Sequence, residues 1–142
     1  MSRRFRRPEE KTKGSKVAAP ASAGAPSPDT QTPTFCLHYL GGNYCLTKCD
    51  TKEKADLAER LHKLSSMTWQ EIKHAQRHGL GFEIISRKSL KTDLPPAVKA
   101  MEDVTVLAFR FSGKKPMVGY RDGRTFHIVF LDRDFTLYPH GS

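Results

Sequence analysis

The last third of the chain constrains the fold most. VTVLAFRF (104–111), MVGYRD (117–122) and RTFHIVFLD (124–132) are runs of β-branched, aromatic and other apolar residues. Between them lie Gly113-Lys114-Lys115-Pro116 and Asp122-Gly123. Short apolar runs bounded by turn residues read as strands, and an Asp-Gly pair between two of them signals a hairpin. The stretch is therefore expected to be an antiparallel three-stranded meander. RTFHIVFLD is so apolar that it is expected at the centre of the sheet, buried on both faces for part of its length.

Upstream the hydrophobic period changes. Asp50-Thr51-Lys52-Glu53 has the form of a capping box, and Leu57, Leu61 and Leu64 follow at helical spacing, which predicts a helix over 51–65. Thr68-Trp69-Gln70-Glu71 repeats the signal, and Gly79 stands where a helix of about ten residues would stop. The leucine and tryptophan stripe of this pair is read as core. GFEII (81–85) is a strand candidate, and SRKSLKTDLPPAVKAM a basic loop with one helical turn after Pro95-Pro96. FCLHYL and NYCLT flank Gly41-Gly42-Asn43 and predict an N-terminal β-hairpin. Helices gathered before a run of strands indicate an α+β fold: a helical hairpin on one face of an antiparallel sheet, with the opposite face left for function.

Residues 1–33 combine Arg3, Arg4, Arg6, Arg7, Lys11, Lys13 and Lys16 with a Pro/Ala/Ser/Gly run that buries too little apolar surface to offset chain ordering. They are expected to be a disordered basic arm ahead of a single domain over 34–142. The chain carries 24 Lys+Arg against 15 Asp+Glu, a net charge of +9. Seven basic and three acidic residues fall in the arm, leaving the domain basic in its own right. A polyanion, most often nucleic acid, is the partner class such a balance favours, with solubility alone as the alternative. No run is apolar enough to span a bilayer and no h-region follows the arginines, so no membrane partner and a cytoplasmic location are expected.

Three cysteines, Cys36, Cys45 and Cys49, fit reduced thiols. With His38 they could gather around a metal, but no C-x₂-C knuckle is present and small buried thiols are the favoured reading. His74 and His78, four apart, are read as a polar helix face. No dinucleotide fingerprint, Walker, H-E-x-x-H or Gly-x-Ser-x-Gly pattern occurs, so no cofactor and no metal are expected.

Alternation along 104–111 places Thr105, Leu107, Phe109 and Phe111 on the helix-covered face and Val104, Val106, Ala108 and Arg110 on the other. Arg110 then ends its strand near Lys114 and Lys115. Arg87, Lys88 and Lys91 lie in the basic loop, and Arg121 and Arg124 beside the Asp-Gly turn. His127 is a core histidine or a ligand-facing acid or base. Arg133, Tyr138 and His140 follow the last strand with no turn-forming need. An arginine can stabilise phosphoryl charge, and a tyrosine and a histidine can exchange protons with a sugar hydroxyl or a leaving oxygen. The bland alternative is a solvated tail.

The element order, together with R-x-x-x-x-Y at Arg133–Tyr138 and a histidine at 140, resembles the RelE/ParE toxin superfamily over about residues 52–140. The resemblance implies a metal-independent endoribonuclease acting on ribosome-bound mRNA, with an antitoxin protein as partner. It further implies that Arg110 and Arg121 bind phosphates, that Arg133 stabilises the phosphorane, and that Tyr138 or His140 serves as general base or acid. Two other readings stay open: a non-catalytic RNA- or DNA-binding module, and a phage or mobile-element protein-interaction module.

Overall fold

The computed structural model describes residues 26–76 and 79–139; the start of the arm, His78 and His140 lie outside the described residues. The fold is α+β. Its elements in order are β1 (Thr34–Cys36), α1 (Thr51–Leu64), α2 (Trp69–Lys73), β2 (Phe82–Ile85), α3 (Pro96–Lys99), β3 (Val106–Ser112), β4 (Lys115–Asp122) and β5 (Thr125–Leu131). The five strands form one sheet in the order β1-β5-β4-β3-β2. Among the described residues no helix is long and apolar enough to cross a membrane.

The meander forms as its sequence dictates. Ser112 stands opposite Lys115 and Asp122 opposite Thr125, so Gly113-Lys114 and Gly123-Arg124 are the two-residue loops. Gly113 and Gly123 take φ of +57° and +63°. A hairpin loop with glycine first needs that left-handed conformation to match the twist of its strands. The pairing of β4 with β5 shifts register between Val118 and Gly119, which leaves Val129 as an extra residue on β5. A Cβ at Gly119 would lie 1.9 Å from the His127 carbonyl oxygen, so only glycine lets the two backbones meet there. The bulge turns both Val129 and Phe130 to one side of the sheet and returns Leu131 to the other.

Both predicted helix starts are capping boxes. The Asp50 side chain accepts from the Glu53 N–H and Glu53 accepts from the Asp50 N–H; Thr68 and Glu71 do the same for α2. The second helix is shorter than its spacing predicts. It stops at Lys73, and the chain turns back toward β2 with the Gln76 carbonyl accepting from the Gly79 and Gly81 N–H groups.

The expected N-terminal hairpin does not form, and the sheet is mixed rather than antiparallel. Thr34–Cys36 pairs with β5 in parallel, while NYCLT is taken up in two 3-10 turns, Gly42–Tyr44 and Leu46–Lys48. A lone hairpin buries little, whereas β5 offers a backbone edge and an apolar face. Phe35 takes that opportunity edge-on to Phe126, ring centroids 6.4 Å apart.

Two cores lie on the two faces of the sheet. Leu57, Leu64, Trp69 and Ile72 from the helices meet Leu107, Phe109, Met117, Phe126 and Ile128 on one side. The opposite face is not open as expected. Val106, Ala108, Val118, Tyr120, Val129 and Phe130 are covered by Leu94 and Val98 around α3 and by Leu137 and Tyr138 of the C-terminal segment. The physical reason is the sheet itself, since central strands apolar on both faces cannot leave one face to water. Leu90, Leu94, Val98 and Met101 recur at near-helical intervals in the loop and supply the cover. Defined structure is also present ahead of Thr34: Pro28–Thr30 forms a 3-10 turn, and the segment to Pro33 docks against α2 and the β4–β5 turn. The expectation of disorder through residue 33 is corrected there, because the segment finds charged partners that its composition does not reveal.

Candidate nucleic-acid interface

The cationic residues expected to share one surface divide among four places. At the N-terminus of α1, Glu53 is only 2% exposed and accepts from three donors. Lys115 Nζ donates to Oε2 at 2.6 Å, Arg133 Nε to Oε1 at 2.6 Å, and the Asp50 N–H to Oε1 at 2.8 Å. Burial opposes the charge on Glu53. The bonds from Lys115, the Asp50 N–H and Arg133 outweigh it and hold the carboxyl down at about 2. Arg133 and Lys115 thus tie the C-terminal segment and the β3–β4 loop to the start of α1.

Arg121 and Arg124 are engaged at the far end of β4 and β5. Arg121 Nη2 donates to Asp29 Oδ1 at 2.6 Å and its Nε to the Gly123 carbonyl at 2.7 Å, with the guanidinium 4.3 Å from the Trp69 ring centroid. Arg124 donates through Nε to the Thr32 carbonyl and through Nη2 to the Thr32 hydroxyl, at 2.9 and 3.0 Å. In the loop covering the second face, Arg87 donates to the carbonyls of Lys99 and Met101, fixing the end of α3, where a cation also suits the helix dipole. Lys88 and Lys91 are exposed, and the Lys91 backbone N–H donates to the Leu137 carbonyl at 2.7 Å.

Arg110 lies on the loop-covered face by alternation with Val106 and Ala108, and its carbonyl accepts from Arg60 at 2.8 Å. Arg121 is engaged with Asp29 at one end of the sheet, Arg133 with Glu53 at the start of α1, and Tyr138 is buried in the second core, so the single concave surface expected for Arg110, Arg121, Arg133 and Tyr138 is not assembled. Tyr138 is 5% exposed within the second core. His140 lies outside the described residues. His127 stacks on Tyr120, ring centroids 4.6 Å apart and nearly parallel. Its Nδ1 is buried and has no hydrogen-bond partner among the described residues. Burial pushes the Tyr120 hydroxyl up to about 12, aided by its bond to Tyr39.

The C-terminal segment is folded back rather than trailing. Asp132 is fully buried and accepts from the Thr136 and Leu137 N–H groups at 2.9 and 3.0 Å. The turn it closes puts Phe135 at φ +58° and leaves that ring 42% exposed. A non-glycine residue in the left-handed region stores strain that its surroundings must hold, a feature that concentrates at functional positions. Phe135 lines a shallow hollow of about 260 Å³ with Lys52, Lys114 and Lys115. Asp50 and Glu53 share its wall; the first caps α1 and the second is held by Lys115 and Arg133. Lys114 stands exposed at the tip of the β3–β4 loop.

Sequence reasoning passed over Asp29, Thr32, the ion-pairing of Glu53 and the exposure of Phe135. Only Glu53 carried a signal, as the third position of a capping box. Among the described residues no three His, Cys, Asp or Glu side chains gather as metal ligands would, and Cys36, Cys45 and Cys49 are free thiols. Compared with protein-family models, with curated proteins and with solved structures, the chain finds no match.

Proposed function

We propose that this protein is a nucleic-acid-binding module of RelE/ParE-like topology that engages single-stranded RNA through its cationic surface. The observation that carries this reading is Phe135, an exposed ring in a strained turn beside Lys114, with Lys52, which pairs with Asp56 at 2.7 Å, on the same hollow. An aromatic platform flanked by lysines suits a single strand, because every base has a face to stack and every linkage a phosphate to neutralise. The basic arm adds a sequence-independent attraction for the same partner. RNA affinity should fall steeply with salt. Phe135→Ala and Lys114→Ala should each weaken binding, the first with little change in salt dependence and the second with a shallower slope. Affinity that ignores salt and both substitutions would sink the proposal.

A second reading, metal-independent cleavage of mRNA, draws on the return of the C-terminal segment to the loop-covered face, where alternation also puts Arg110. In it, Arg110 and Lys91 hold phosphates, and Tyr138 with His140 moves protons at the 2′-hydroxyl and the leaving oxygen. Arg133 is committed to Glu53 in that arrangement, so the phosphorane would rely on Arg110. Incubation with RNA in excess chelator, with and without ribosomes, separates the two readings. Cyclic-phosphate ends lost in Tyr138→Phe and His140→Ala, with RNA affinity retained, would establish the nuclease; binding without cleavage would exclude it.

A further inference from the structure

We propose that Arg121, Arg124 and Lys73 form a phosphate site for nucleic acid, which residues 27–33 cover with the Asp29 carboxylate standing in the place of a backbone phosphate. The inference rests on the nucleic-acid reading above and assigns to it a masked second contact.

The geometry is that of an anion site already filled. Asp29 bridges two cations, accepting from Arg121 Nη2 at 2.6 Å through Oδ1 and from Lys73 Nζ at 3.0 Å through Oδ2. Arg121 is oriented before any ligand arrives, because its plane lies over Trp69 and its Nε is spent on the Gly123 carbonyl. That leaves the Nη edge turned outward toward Asp29. Arg124 aims both of its bonds at Thr32 of the same short segment. A phosphodiester presents one negative charge on two non-bridging oxygens, which matches a bridging carboxylate in charge and in acceptor count. The two cations hold the Asp29 carboxyl below its ordinary range, as they would hold any anion seated there. Two further carboxylates lie on the same elements, the exposed Asp122 of β4 and Glu71 of α2, the latter accepting from the Thr68 N–H.

The ion pairs of the cover are partly open to water, although the Arg121 side chain is only 21% exposed and Arg124 adds two bonds to Thr32. The Asp29 side chain is 38% exposed and that of Lys73 48%, and ion pairs this open to water contribute only about 0–1 kcal/mol. Two backbone bonds hold the segment's end, Trp69 N–H to the Gln31 carbonyl and Thr34 N–H to the Arg124 carbonyl. A tethered carboxylate has the advantage of high effective concentration, so a single free phosphate competes poorly while a polyanion with several contacts competes well. Residues 1–25, joined directly to the cover, carry seven basic and two acidic residues. A strand gathered by that arm is delivered next to the site it must open.

The test uses the full chain and a short single-stranded RNA titrated over a range of salt. Asp29→Asn should tighten binding by about threefold to fivefold, the equivalent of losing one exposed ion-pair competitor. It should also steepen the salt slope by about 0.7, the change expected for one more single-strand phosphate neutralised. Adding Arg121→Gln, or Lys73→Gln should the first unfold the chain, should abolish the gain. Wild-type binding with no change in Asp29→Asn would overturn the inference and leave the binding reading intact, the segment then being a structural clasp. A gain that survives Arg121→Gln and Lys73→Gln would also overturn it. Failure of every variant to bind RNA at low salt would remove the binding reading and this inference together.

Discussion

The helix-covered face of the sheet and the loop-covered face bury the same kinds of side chain but are closed by different means. On the first, α1 and α2 bring leucines, Trp69 and Ile72 at helical spacing, and each helix is started by its own capping box. On the second, a single turn of helix and two irregular segments do the work, fastened by Arg87 on the carbonyls of Lys99 and Met101 and by Asp132 on two N–H groups. A regular element satisfies its own backbone and needs only an apolar stripe, whereas an irregular cover must have its polar backbone groups answered one at a time. The second face therefore depends on particular polar side chains, and Arg87, expected as a phosphate ligand, is one of them.

The comparison is open to direct attack. Trp69 is fully buried, meets Phe82, Phe109 and Phe126, and donates its indole N–H to the Arg124 carbonyl at 2.9 Å. Trp69→Ala should cost about 3–5 kcal/mol in urea unfolding. Val98→Ala on the other face should cost about 2 kcal/mol; an equal loss would mean that the two covers are equally cooperative.

Glu53→Gln should destabilise by about 2 kcal/mol at neutral pH, since Arg133 and Lys115 lose their shared partner but can reach water. The pH dependence has a definite sign. The folded carboxyl sits near 2 against an ordinary 4.5, so its contribution is present above the higher value and is lost as pH falls toward the lower. Thermal melts of the wild type and of Glu53→Gln should converge across that acid window. A gap that stays constant would show that the carboxylate's charge is not what ties the three segments.

Asp132→Ala leaves two N–H groups without an acceptor and should cost about 1–2 kcal/mol. It should also release Phe135 from its strained turn, read as faster amide exchange at Thr136 and Leu137. At the small end, Lys88→Ala on the exposed surface of the loop should change stability by less than about 0.5 kcal/mol.

Much of this fold was legible because its signals are local. Asp50 and Glu53, Thr68 and Glu71, the glycines of the hairpin loops and the alternation along β3 each act within a few residues, and each appears in the structure where its pattern predicts. The same alternation placed Val106 and Ala108 opposite Leu107 and Phe109, as found. The candidate site was far less legible. Residue type marks Arg121, Arg124, Arg133 and Lys115 as phosphate ligands, but whether an arginine is spent on its own chain depends on a carboxylate or carbonyl many residues away.

By itself, the sequence determined an α+β chain with two capped helices and a three-stranded meander, because hydrophobic period, caps and turn glycines are short-range physics. Only the tertiary structure decided that β1 joins β5 in parallel, that the second face is closed, that Glu53 binds Arg133 and Lys115, and that Asp29 lies on Arg121 and Lys73. Those pairings join residues 44 to 92 positions apart. No local pattern encodes them: a distant partner is selected by what the whole fold leaves unburied or unpaired, and that is defined only once the chain has packed.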